Sequence, residues 1–93
     1  MKTANNSLLL YASMSATPSI TIYSTPTCPY CKMAKEYFKS KNLAYSDIDV
    51  AADPAKADEM IKKSGQMGVP VIDIGGTIIV GFDKPKINAA LGL

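Results

Sequence analysis

The chain has 93 residues, 47% of them apolar, which suits a single self-standing domain with a real core. Ten basic and eight acidic side chains give a net charge of +2 with no basic run, so nucleic-acid or membrane-surface binding has no electrostatic support. With no histidine and only two cysteines, a zinc site would need carboxylates or a second chain.

Residues 1–18 are expected to be a flexible N-terminal extension. They hold Asn5, Asn6 and several serines around the short apolar run Leu8-Leu9-Leu10-Tyr11-Ala12. One lysine, a run interrupted by Ser13 and Ser15, and the lack of an Ala-x-Ala pattern argue against a secretory signal. No stretch approaches the roughly 20 apolar residues of a membrane span.

Ile20 and Ile22 alternate with Thr21 and Tyr23, the period-2 pattern of a first strand. Thr25-Pro26-Thr27 breaks it. Thr27 is the expected cap of a helix that tolerates Pro29 in its first turn, where an N–H has no intrahelical partner. Ala34, Tyr37 and Phe38 form its apolar stripe, Lys32, Lys35, Glu36 and Lys39 take the other faces, and Asn42 is the expected stop. A second strand is predicted over Tyr45–Val50. Asp53-Pro54 then opens a second helix, with Ala57, Met60, Ile61 and Ser64 on one face and Gly65 at its end. Residues Val69–Ile74 read as a third strand, Gly75-Gly76 as a hairpin turn, and Thr77–Val80 as an antiparallel fourth. Asp83 caps a short last helix with Ile87, Ala90 and Leu91 buried and Gly92 at its end. The order is β-α-β-α-β-β-α, an α/β fold allowing a parallel crossover followed by a hairpin.

The chemistry lies in Cys28-Pro29-Tyr30-Cys31, at the junction of the first strand and helix. Thiols at this spacing stand about one helical turn apart, close enough to form a disulfide with little backbone movement. Free N–H groups and the positive dipole end at a helix start favour a thiolate. Cys28, at the exposed start, is the expected nucleophile. Cys31, one turn in and less accessible, is the expected resolving thiol. Such a bridge closes too short a loop to act as a structural staple.

From about residue 19 to residue 92 the chain resembles the glutaredoxin family, within the thioredoxin-like fold, and most of all its small bacterial redoxins. Four matches in order carry the resemblance: the first strand leading into Cys28-Pro29-Tyr30-Cys31, Val69-Pro70, the Gly75-Gly76 turn, and Gly81-Phe82-Asp83 before the last helix. It implies a glutaredoxin-like domain over residues 19–93, with a mixed four-stranded sheet and three helices. It further implies a thiol–disulfide oxidoreductase that reduces protein disulfides or glutathione mixed disulfides.

By the same resemblance the Val69–Pro70 bond is cis and faces the thiols, presenting the Val69 backbone to an extended ligand. Phe82 and Asp83 match the segment that holds the γ-glutamyl end of glutathione, and Tyr30 is placed to stack on the ligand. Asp83 is also expected to cap its helix, and Lys32 to be a solvated helix-face lysine. No tightly bound cofactor is implied, and glutathione is the expected co-substrate. The implied partners are glutathione, disulfide-containing proteins and a flavoprotein reductase, without nucleic acid or membrane, for a monomer in the cytoplasm. An alternative is a dimer in which Cys28 of each chain, with glutathione, holds a [2Fe–2S] cluster.

The chain departs from the family at three places. The basic residue that many glutathione-binding members carry two or three positions before the first cysteine is replaced by Thr25 and Pro26. The usual Thr-Val-Pro reads Gly68-Val69-Pro70, and Lys84 replaces a second acidic residue. Lys56, Lys62 and Gln66 are candidate substitutes for the missing cation. These departures bear on glutathione specificity and leave the dithiol chemistry intact.

Overall fold

The computed structural model describes residues 18–93, and the expected N-terminal extension lies, apart from Pro18, outside the described residues. The elements come in the predicted order: β1 (Ile20–Ser24), α1 (Pro29–Ser40), β2 (Ser46–Asp49), α2 (Pro54–Ser64), β3 (Val71–Ile74), β4 (Thr77–Val80) and α3 (Lys84–Leu91). β2 is one residue shorter at each end than the sequence predicts. β3 begins at Val71 rather than Val69, because Pro70 has no N–H to give to a ladder.

The four strands form one sheet in the order β2-β1-β3-β4. β1 runs parallel to β2 with Ile22 opposite Asp47, and antiparallel to β3 with Ile22 opposite Ile72. β3 and β4 pair as the hairpin, with positive φ at Gly75 (57°) and Gly76 (98°), a conformation glycine accepts without steric cost. Asn42, at φ 58°, turns the chain out of α1 as expected.

Two helices cover one face of the sheet and one covers the other. Ile20, Ile22, Ile72, Ile74 and Ile79 meet Ala34 and Phe38 of α1 and Ile87 of α3 in the larger core. Tyr23 and Val71 meet Met60 of α2 on the opposite face. Burying a side chain such as Phe38 stabilises the fold by about 1.5–3 kcal/mol. No helix among the described residues is long and apolar enough to cross a membrane.

The period-2 pattern sets Tyr23 on the side away from the isoleucines. Because β1 is an inner strand, that side is also covered, and Tyr23 is as completely buried as Ile22. Its hydroxyl donates to Glu59 and accepts from Lys63 Nζ at 2.8 Å, while Lys63 also reaches Asp73 at 3.0 Å. Burial, and then the bond to Glu59, hold the phenol above its ordinary pKa. The hydrogen bonds to Tyr23 and Asp73 do the same for the Lys63 ammonium. A buried phenol needs such partners, and here they tie α2 to the sheet.

Candidate active site

β1 ends at Ser24, and the chain turns through Thr25-Pro26-Thr27 to start α1 beyond the C-terminal end of that strand. The expected cap, Thr27, is not the one used. Cys28 keeps extended dihedrals (φ −88°, ψ 113°) and is itself the N-cap, with Pro29 at the first helical position. Its sulfur accepts the Cys31 N–H at 3.1 Å, the place where a cap side chain normally presents oxygen. The nucleophile candidate therefore sits directly on the orphan donors of the helix start.

The two thiols, both free, have different surroundings. Cys28 is half-buried, and its S–H points at the Val69 carbonyl 3.8 Å away. Cys31 is fully buried. Burial first, and then the hydrogen bond with Cys28, push the Cys31 thiol up to about 11. Cys31 is thus a neutral thiol at pH 7, held beneath an accessible partner. That asymmetry suits attack from outside followed by resolution from inside.

The Val69–Pro70 bond is cis, as the resemblance implies, and Pro70 is buried. The Pro70 carbonyl accepts the Gly81 N–H at 2.8 Å, which fastens the segment before α3 to the loop facing Cys28. Of the other expected ligand residues, Tyr30 is 61% exposed beside the thiols. Phe82 is half-buried, its ring packed edge-on against Tyr37 at 5.8 Å between centroids. Asp83 caps α3, taking the Lys86 N–H at 3.3 Å.

The substitutes for the missing cation fare differently. Lys56 is engaged with Glu59 at 3.3 Å. Gln66 clasps the backbone of Gly68, accepting its N–H at 2.6 Å and donating to its carbonyl at 3.1 Å. A side chain at position 68 would meet the Gln66 amide oxygen at 2.8 Å, so the glycine that replaces the family's threonine goes with this clasp. Lys62 and Lys32 are exposed on their helices.

Sequence reasoning missed a polar cluster behind Cys31. Lys35 Nζ meets Asp47 Oδ2 at 2.6 Å, and the buried Ser24 hydroxyl donates to Asp47 Oδ1 at 2.6 Å. The spacing of Lys35 from Cys31, four residues along α1, was visible in the sequence. Its pairing with β2 was not, since it depends on strand order. Among the described residues no group of three or more His, Cys, Asp or Glu side chains is placed to hold a metal ion.

An accessible thiol capping a helix over a buried one, on a four-stranded mixed sheet with three helices, defines a thioredoxin-like dithiol protein. Residues 20–79 match the family model for glutaredoxins. A glutaredoxin-like 8.6 kDa protein from the rubredoxin operon of Clostridium pasteurianum, itself uncharacterized, is 58% identical over 69 residues, 74% of this chain and 92% of that one. Glutaredoxin 3 of Escherichia coli K12 is 40% identical over 65 residues, 70% of this chain and 78% of its own length. The solved structure of the NrdH-redoxin of Escherichia coli, a glutaredoxin-like protein described as having a thioredoxin-like activity profile, superposes with a TM-score of 0.67. It is 28% identical, with 76% of this chain and 92% of that chain covered. The chain belongs to the glutaredoxin family, whose members are thiol–disulfide oxidoreductases.

Proposed function

We propose that this chain reduces disulfides by dithiol exchange, with Cys28 as the nucleophile and Cys31 as the resolving thiol. The observation that carries the reading is the Cys28 sulfur at the α1 N-cap, accepting the Cys31 N–H at 3.1 Å while still reachable from solvent. The Cys28 thiolate attacks one sulfur of the substrate and expels the other as a thiolate. Cys31 then loses its proton and attacks Cys28 Sγ, which releases the second substrate thiol. Two electrons pass from the protein dithiol to the substrate, so no tightly bound cofactor is required.

The substrate is proposed to lie along the Val69 backbone and Pro70, where main-chain pairing tolerates many sequences. Tyr30 flanks that line, and Phe82 and Asp83 border it as the glutathione-binding segment. For Phe82 the contribution is that of its backbone, because its ring is used in packing on Tyr37. Glutathione is the co-substrate in this reading, acting on a monomeric domain over residues 19–93, preceded by its N-terminal extension. The reducing cytoplasm is the compartment that suits a working pair of free thiols.

Turnover of a glutathione mixed disulfide, followed by NADPH oxidation through glutathione and glutathione reductase, tests this directly. Sustained turnover supports a glutathione-dependent enzyme. A second reading, in which a flavoprotein reductase supplies the electrons, is favoured by Thr25 and Pro26 at the usually basic positions and by the engagement of Lys56 and Gln66 elsewhere. The described activity profile of the structurally similar NrdH-redoxin points the same way. Loss of glutathione-driven turnover, with dithiothreitol-driven disulfide reduction intact, would select that second reading.

A further inference from the structure

The dithiol mechanism leaves one step without a helper. Cys31 must ionise before it can attack Cys28, yet it is the more deeply buried sulfur and its surroundings hold it as a thiol. Lys35 follows Cys31 by four residues in α1, and residues at that spacing are neighbours on one helix face. Lys35 is held there by Asp47, and Asp47 by the buried hydroxyl of Ser24, through two contacts of 2.6 Å each. A surface lysine would sample many rotamers, whereas this one is anchored at both remove and reach.

We propose that Lys35, clamped by Asp47 and Ser24 one helical turn beyond Cys31, is a positioning residue for the resolving half-reaction. It supplies the fixed positive charge against which the Cys31 sulfur sheds its proton. This proposal rests on the dithiol reading above.

Charge, rather than proton abstraction, is the role the cluster permits. The hydrogen bond to Asp47 raises the Lys35 ammonium above its ordinary range, so it remains protonated throughout the working pH. Burial raises the Asp47 carboxyl, but the bonds from Lys35 and Ser24 and the Lys35 charge outweigh it and bring the group below its ordinary value. The charged groups that act on Cys31 and Lys35 are Cys28 at the head of α1, Asp47 on β2 and Tyr45 just before β2. Of the charges that act on Cys31, Cys28 opposes its thiolate and Lys35 favours it, alongside a backbone hydrogen bond at Thr25. When Cys28 is tied up in a mixed disulfide its own opposing charge disappears, and the favourable charge of Lys35 remains.

The step balances on the protein's own atoms. The Cys31 proton passes to solvent, the Cys31–Cys28 bond forms, the bond from Cys28 to the substrate sulfur breaks, and that sulfur leaves as a thiolate. Rapid mixing of the reduced protein with 5,5′-dithiobis(2-nitrobenzoate) reads both half-reactions at once. The first aromatic thiolate reports attack by Cys28 and the second reports resolution by Cys31.

For Lys35→Gln, the rate–pH profile of the second phase is expected to move upward by about one unit, an approximately tenfold slower resolution at pH 7. Lys35→Arg, which keeps the charge, should restore the rate to within about twofold. Lys35→Met, which keeps the aliphatic stem, should behave as Lys35→Gln does. A structural role would give the opposite sign, since loosening the packing relieves the burial that suppresses Cys31 ionisation. An unmoved or downward-shifted profile in Lys35→Gln, or an arginine variant as slow as the glutamine one, overturns the proposal. Release of only one aromatic thiolate by the unaltered protein would overturn the dithiol reading together with it.

Discussion

The three helices begin alike, and one of them differs in a single atom type. At α2, Asp53 accepts the N–H of Lys56, three residues on, at 3.2 Å; at α3, Asp83 accepts that of Lys86 at 3.3 Å. At α1, Cys28 accepts that of Cys31 at 3.1 Å. In all three the cap residue is extended, and a proline stands at one of the first two helical positions. Two caps are carboxylates that bond to their own helix start, and Asp83 also lies 4.0 Å from the Lys86 ammonium. The third is a sulfur that also faces the Val69 carbonyl. The site thus uses an ordinary helix-capping arrangement with a sulfur in the place of an oxygen.

Replacing the caps tests that comparison, and the largest effect is expected at Cys28. Cys28→Ser and Cys28→Asp should both abolish thiol–disulfide exchange while still capping α1. Cys28→Asp should melt at or above the temperature of Cys28→Ala, as measured by far-ultraviolet circular dichroism. An aspartate variant less stable than the alanine one would break the equivalence of the three helix starts. Cys31→Ser comes next. It should lose reduction of protein disulfides, which requires resolution, and retain turnover of glutathione mixed disulfides, in which free glutathione can resolve. Equal loss of both activities in both cysteine variants would overturn the assigned roles.

The carboxylate caps should show smaller, purely energetic effects. Asp53→Ala is expected to cost about 0.5–2 kcal/mol, which lowers the melting temperature by roughly 4–8 °C per kcal/mol in a domain of this size. Asp83→Ala should cost a similar amount. If Asp83 also binds glutathione, its loss raises the KM for glutathione mixed disulfides, and Asp53→Ala leaves that KM unchanged.

A pH dependence separates Cys31 from the caps. Its pKa is raised from an ordinary 9.0 to about 11, so the unfolded chain loses this proton before the folded one does. The stability it contributes is complete below about pH 9 and is lost as pH rises from there through about 11. The reduced protein should therefore lose stability over that window more steeply than Cys31→Ala, in denaturant titrations compared at matched pH.

Much of the fold was legible because its signals are local. Asp53-Pro54, Asp83 with Pro85, Gly65 and Gly75-Gly76 each act within a few residues of themselves, and each does in the structure what its chemistry suggests. The Cys28–Cys31 pair was legible for the same reason, since helical spacing alone sets the two sulfurs one turn apart. The α1 cap was misplaced by one residue. Thr27 is the better cap by residue type, but the chain enters helical dihedrals only after Cys28, and a sulfur is not a usual cap.

Long-range partners are another matter. Tyr23 alternates as an outward residue would, and only the position of β1 between β2 and β3 encloses it and calls for Glu59 and Lys63. Phe82 matched a ligand-binding segment by resemblance, and only the fold shows its ring packed on Tyr37, 45 residues earlier.

By itself, then, the sequence determined the pair of cysteines one helical turn apart, their order of exposure, the helix boundaries to within a residue and the apolar stripes. Each of these follows from backbone geometry and residue chemistry at short separation. The tertiary structure alone decided what surrounds the sulfurs. Strand order set Asp47 and Ser24 beside Lys35, and chain folding brought the Val69 carbonyl to Cys28 and buried Cys31 completely. Burial and charge act through space, and the separation of residues along the chain does not specify which of them will be near.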